Sequence, residues 1–164
     1  PEMKSTGEVM GIDKDFGLAY AKSQMASQNS LPTKGLAFIS LKDRHKNEGV
    51  DLAKQLIKLG FTLCGTEGTA NRIIKNGIKC KKINKVSGGS PHIIDVLNSK
   101  KIALVINTGG GKRAYRIQDS TSLRRSTLIN KVPYCTNMST AYAFLEAIKS
   151  LKTKKIEVKS LQEI

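Results

Sequence analysis

Tryptophan is absent and aromatic residues make up only 5% of the chain, so the core must be built from aliphatic side chains. So few rings also leave no series of platforms on which nucleic-acid bases could stack. Cysteine is scarce: Cys64, Cys80 and Cys135 are odd in number, widely spaced and form no CxxC pair. That argues against a disulfide framework and against a zinc site, and leaves three small buried hydrophobes as the simpler reading. No apolar run approaches the ~20 residues that a bilayer crossing takes. The N-terminal "PEMKSTGEVMG" has no signal-peptide apolar segment. The expectation is a cytoplasmic protein with no membrane partner.

What is present is positive charge. The 164 residues carry a formal charge of +15, with lysine supplying 22 of the 28 basic residues. Phosphorylated ligands, nucleic acid or an acidic partner surface would each suit such a balance. The lysines are spread along the chain and not clustered, which disfavours nucleic acid and keeps a basic nucleic-acid-binding domain only as an alternative. A 39% hydrophobic content is enough to bury one core.

Strand and helix signals alternate from residue 36 onward. "LAFISL" (36–41), "FTLCG" (61–65), "IKCKKIN" (78–84), "KIALVIN" (101–107) and "VPYCTN" (132–137) read as strands, the third near a sheet edge. Helical patterns fall between them. One runs to a Gly60 stop, one ends at Gly77, and one is opened by Pro91. Another is capped at Asp119 or Ser120, and "MSTAYAFLEAIKSL" closes the series. "KKIEVKSL" reads as a last edge strand. Residues 1–34 differ: "DKDFGLAYAKSQMASQ" has helical spacing with Asp13 as its N-cap, followed by a linker. Alternation of this kind predicts a three-layer α/β/α fold with a five-stranded, mainly parallel sheet, because parallel strands need crossover connections.

In such sheets ligands bind beyond the carboxyl ends of the strands. Those loops are Ser40 to Lys46, "GTEGT", "NKVSGGSPH", "NTGGGKR" and "CTNMST", rich in glycine, hydroxyl, amide and lysine. Gly65 and Gly68 let backbone approach a ligand, and Thr66 and Thr69 add hydroxyls at a helix N-terminus. Lys46 and Lys85 supply charge from neighbouring loops. The set suits a phosphate monoester; the plainer alternative is a threonine N-cap beside a turn glycine. There is no GxxxxGK[ST] and no GxGxxG after the first strand, and "TGGGKR" reads equally well as a flexible turn. His45 reads as solvated and His92 as structural. Neither belongs to a nucleophile triad, and no metal site is expected.

"MKSTGEVMG", "GTEGTA", "NKVSGGSPHIIDVL", "VINT", "LRRS" and "KVPYCTN" occur in the order, and near the spacing, of the C-terminal part of the carbamoyl-phosphate synthase large chain. The resemblance covers essentially the whole sequence. It implies that residues 1–34 end the preceding synthetase unit and that 35–164 form an allosteric domain with the methylglyoxal-synthase-like fold. The chain then reads as a fragment that is not itself an enzyme and needs no cofactor. The parent it implies is a glutamine-hydrolysing ligase, which uses ATP with Mg or Mn. That enzyme makes carbamoyl phosphate from bicarbonate and glutamine for pyrimidine and arginine synthesis. UMP or IMP would be the effector, and the remainder of the large chain and the small glutaminase chain the partners.

Carried over residue by residue, the resemblance puts phosphate and nucleotide on Lys46, Thr66, Thr69, Lys85, Asn107 and Thr108. The base and ribose fall beside Val86, Ile93 and Asp119, and ornithine at an interface near Tyr134 and Thr136. The usual second threonine after Asn-Thr is Gly109 here, and the loop to Asp119 is about two residues longer. The alternative within the fold is a methylglyoxal-synthase-type lyase. Its catalytic aspartate follows a Gly-Gly pair, where this chain has Gly88-Gly89-Ser90, and a serine is no carboxylate base.

Overall fold

A computed structural model of the chain describes residues 9–84, 92–99, 101–109, 114–158, 160 and 162. Five parallel strands form one sheet in the order β3-β2-β1-β4-β5. They are β1 (Gly35–Ser40), β2 (Phe61–Gly65), β3 (Lys81–Lys82), β4 (Ile102–Asn107) and β5 (Tyr134–Cys135). The helices are α1 (Phe16–Ala26), α2 (Lys46–Lys58), α3 (Glu67–Lys75), α4 (Ile93–Asn98), α5 (Ala114–Ile129) and α6 (Met138–Thr153), with one 3-10 turn at Asp43–His45. The three central strands are β2, β1 and β4, the most apolar of the runs. Buried on both faces, they have no use for polar alternation.

Side chains leave the sheet on alternate sides and meet two helical layers. Ala37, Ile39, Leu63, Leu104 and Ile106 pack with buried residues of α1, α2, α3 and α6. Phe38, Cys64 and Val105 pack on the other face with Ile93 and Leu97 of α4 and Leu123 of α5. A register irregularity beside Leu36 and Ala37 lets Ile102 and Val105 share that face although they are three residues apart. α2 stops because Gly60, at φ 86°, takes a left-handed conformation that a side chain would oppose.

α1 packs on α6, burying Leu18 and Ala21. Its N-cap is Asp15, not Asp13 as expected: the Asp15 carboxylate accepts the Leu18 N–H at 2.9 Å. The same carboxylate accepts Ser150 Oγ at 2.7 Å and Lys154 Nζ at 2.6 Å, both from the end of α6. Asp13 instead accepts the Asp15 N–H and pairs with Lys22. A carboxylate with three donors is worth more at the start of the helix than one reached from outside it.

Two further expectations are corrected. Neither Asp119 nor Ser120 is a cap, because α5 begins at Ala114 and already includes "AYRIQ", in which Ala, Arg and Gln are strong helix formers. Residues 155–158 form no strand; they are exposed, and β5 remains the edge. β3 is at the opposite edge as expected but is only two residues long.

Candidate functional site

Four polar side chains are buried at the carboxyl ends of the strands. Thr66, Thr69, Asn107 and Thr108 are 6%, 2%, 5% and 3% exposed. Burying polar groups costs free energy unless they find partners, so their partners reveal what the site is built to do.

Thr66 stands at the N-cap position of α3, yet its hydroxyl makes no capping bond. It lies 3.3 Å from Ser40 Oγ and 3.4 Å from Thr69 Oγ1. The plain capping reading of "GTEGT" therefore fails for Thr66. Thr69 Oγ1 accepts the backbone N–H of Leu41 at 3.0 Å. From the other side of β1, Thr108 Oγ1 accepts the next amide, that of Lys42, at 3.2 Å. The first two residues after the central strand are thus held between hydroxyls from the two neighbouring loops. Thr108 adds a backbone bond of its own, N–H to Ser40 O at 3.0 Å.

Asn107 ends β4. Its Oδ1 accepts the Gly109 N–H and its Nδ2 donates to the Tyr134 hydroxyl, each at 3.0 Å. A Cβ at Gly109 would lie 2.7 Å from that Oδ1. The glycine that departs from the expected threonine is therefore matched to this placement of the Asn107 amide. Tyr134 is also 6.0 Å from the Arg124 guanidinium, which lies over its ring. Thr136 is exposed.

Lys46 begins α2, pairs with Asp43 at 2.6 Å and is largely covered. A Cβ on Gly68, between the two threonines, would come within 3.0 Å of its ammonium. Gly68 therefore leaves the space that brings this charge to the mouth of the threonine cluster. Lys46 also borders a groove of about 380 Å³ between α2 and α3, with Asn47, Asn71, Arg72 and Lys75. That is within the size range of small-ligand pockets, roughly 300–1,000 Å³. Three cations face one acid there.

Of the residues expected to bind, the structure gathers Thr66, Thr69, Asn107 and Thr108, with Lys46 at their edge. Ile93 is 2% exposed and belongs to the core between α4 and the sheet. Lys85, Val86 and the Asp119 side chain lie outside the described residues, as do Gly88, Gly89 and Ser90. Two participants went unread. Ser40 is at the end of β1 beside Thr66. His45, expected to be solvated, places Nδ1 3.0 Å from Thr108 Oγ1. Their signal was their position in the first strand-end loop, which residue type alone did not single out.

Among the described residues no cysteine is an activated nucleophile. Burial pushes the thiols of Cys64 and Cys135 up to about 12 and that of Cys80 up to about 11. They stay protonated at neutral pH and serve as core residues. Among the described residues no group of His, Cys, Asp and Glu could hold a metal ion. What the arrangement offers is hydroxyls, amides and a lysine at the ends of parallel strands, all able to donate to an anion.

The family model for the MGS-like domain matches residues 48–136, which include Thr66, Thr69, Asn107, Thr108 and Tyr134. The chain belongs to the MGS-like domain family. Similarity to whole proteins extends over nearly its full length. It is 47% identical over 163 residues to the carbamoyl phosphate synthase large chain of Mesorhizobium japonicum, covering 99% of this chain and 14% of that one. It is 49% identical to the C-terminal section of that large chain from Aquifex aeolicus, covering 100% of this chain and 31% of that section. The Methanopyrus kandleri section is 47% identical, with 30% of it covered. This MGS-like domain thus spans under a third of each of these relatives. A crystal structure of methylglyoxal synthase from Elizabethkingia anophelis superposes with TM-score 0.53 at 19% identity, covering 71% of this chain and 80% of that one. At that identity the likeness is one of fold. No helix among the described residues is long and apolar enough to cross a membrane.

Proposed function

We propose that this chain is the allosteric domain of a carbamoyl phosphate synthase large chain and binds a nucleoside monophosphate of the UMP or IMP type. The observation that carries the reading is the buried cluster of Thr66, Thr69, Asn107 and Thr108 at adjoining strand ends, with Lys46 at its edge. The phosphate sits among these donors and Lys85, and the base extends toward Val86, Ile93 and Asp119. Binding favours one arrangement of the domain against the rest of the large chain. Coupling of this kind is typically ~1–3 kcal/mol.

The parent activity belongs to the same proposal: a cytoplasmic, glutamine-dependent ligase whose ATP and metal sites lie in its other portions, acting with a small glutaminase chain. Ornithine meets this domain at Tyr134 and Thr136, completing its site with the synthetase portion. The hydrogen bond from Asn107 to Tyr134 supports a link between the two ligand positions. A lyase reading is disfavoured by the sequence Gly88-Gly89-Ser90, which has a serine where the lyases that the chain resembles have an aspartate. A nucleic-acid reading is disfavoured by the dispersed lysines.

Calorimetry of the chain with UMP, IMP and inorganic phosphate tests the reading. One saturable site for a nucleotide, competed by phosphate and persisting at ~0.2 M salt where exposed charges are screened within about 8 Å, is expected. Steady turnover of dihydroxyacetone phosphate, or tight binding of duplex without any mononucleotide binding, would replace it.

A further inference from the structure

We infer that His45 is a positioning residue that, together with Arg44, fixes the direction of the Thr108 hydroxyl proton and makes it a donor to a bound phosphate oxygen. The inference rests on the phosphate reading of the strand-end site and adds a residue to it.

Arg44 Nε lies 3.1 Å from His45 Nε2. A guanidinium can only donate, so Nε2 must present a lone pair. The proton of the neutral ring is then on Nδ1. That nitrogen is 3.0 Å from Thr108 Oγ1, so the ring donates to the threonine. The Lys42 amide donates to the same oxygen at 3.2 Å. A hydroxyl oxygen has two acceptor lone pairs and one proton. Two N–H donors occupy the lone pairs, and the proton must point elsewhere.

With the proton on Nδ1, both partners of that oxygen among the described residues are donors. Thr108 is 3% exposed, and its neighbour Asn107 and the facing Ser40 belong to the same cluster. The free proton therefore serves the strand-end site. A phosphate dianion consists of acceptors, and each donor already aligned spares the reordering otherwise needed on binding. The other tautomer would reverse the polarity: Nδ1 would accept the Thr108 proton and turn it away from the ligand. His45 and Arg44 thus decide whether Thr108 offers a proton or a lone pair, without either touching the anion.

The tautomer can be read directly on the unmodified chain. Long-range proton–nitrogen correlation spectra distinguish protonated from unprotonated ring nitrogens. With only two histidines in the sequence, His92→Gln assigns the signals. The expected result is a protonated Nδ1 and an unprotonated Nε2 on His45, with Arg44→Met shifting the ring toward the opposite form. Affinity for inorganic phosphate should fall about tenfold in His45→Ala, the loss of one aligned charge-assisted donor. His45→Asn, whose amide N–H can replace Nδ1–H, should recover most of it. A ring protonated on Nε2 in the free chain overturns the inference. So does His45→Ala binding phosphate like the unmodified chain, or His45→Asn binding as poorly as the alanine variant. A wrong tautomer with phosphate binding intact removes this inference alone. An unmodified chain that binds no phosphate removes the underlying reading, and this one with it.

Discussion

Valine at Thr69, set against valine at Thr66, separates the part these hydroxyls play in the fold from their proposed part in phosphate binding. Thr69 is 2% exposed, and its Oγ1 accepts the Leu41 N–H at 3.0 Å. Valine keeps the shape but leaves that amide buried and unpartnered. An orphaned buried donor costs ~1–3 kcal/mol. For a chain of this size each kcal/mol shifts Tm by roughly 2–4 °C. The variant should therefore melt about 2–12 °C lower and also lose phosphate affinity. Thr66→Val makes the contrast. Among the described residues Thr66 Oγ1 meets only the hydroxyls of Ser40 and Thr69, with no backbone amide in the set. It should melt near the unmodified chain yet lose ~10–100-fold in phosphate or nucleotide affinity, the worth of one hydrogen bond to a charged group. Thermal denaturation and calorimetry on both variants provide the measurements. Equal melting temperatures for the two, or Thr66→Val with full affinity, would refute the reasoning.

Gly109→Thr restores a hydroxyl but sets a Cβ 2.7 Å from Asn107 Oδ1. It should weaken UMP binding in calorimetry, and tighter binding would show that the Asn107 amide is free to move. The three thiols, held protonated by burial, should resist a thiol reagent at pH 7–8 in the native chain and react together in denaturant; fast native labelling of any one would contradict their place in the core. Hydrogen bonds from Lys154, Ser150 and the Leu18 amide hold the Asp15 carboxyl below its ordinary 3.8. A depressed carboxylate stabilises the fold above the unfolded value and loses that contribution as pH falls through the folded one. Urea midpoints of the native chain and Asp15→Asn should thus differ at pH 6 and converge as pH drops below about 4; a constant gap would mean that charge at Asp15 is irrelevant to the α1–α6 junction.

The sheet was legible because its strands are short apolar runs separated by amphipathic helices with clear stops such as Gly60 and Gly77. All five strands stand where the alternation placed them. What misled was local. "KKIEVKSL" has strand-like alternation, but its residues 155–158 join no edge, since pairing is a tertiary fact and not a property of the segment. Asp119 looked like a cap because acids favour helix starts, while the helix already begins at Ala114, before it. Asp13 and Asp15 are two residues apart and equally plausible as caps; the partners that decide between them, Ser150 and Lys154, lie far along the chain. In the site, threonine and asparagine identities pointed to Thr66, Thr69, Asn107 and Thr108. Ser40 and His45 were missed because their roles depend on which loops the sheet order sets side by side. β1 is between β2 and β4, and so its loop is the one that Thr66 and Thr69 reach from one side and Thr108 from the other.

The central claim is that a nucleotide phosphate sits at the ends of β1, β2 and β4. Titrating UMP into nitrogen-15-labelled chain and following the backbone amides tests it most directly. The account predicts saturable shifts concentrated at Leu41, Lys42, Gly68, Thr69, Thr108 and Gly109, reproduced in part by inorganic phosphate. Shifts scattered over surface lysines that vanish at ~0.2 M salt, or a saturable site elsewhere on the domain, would contradict it.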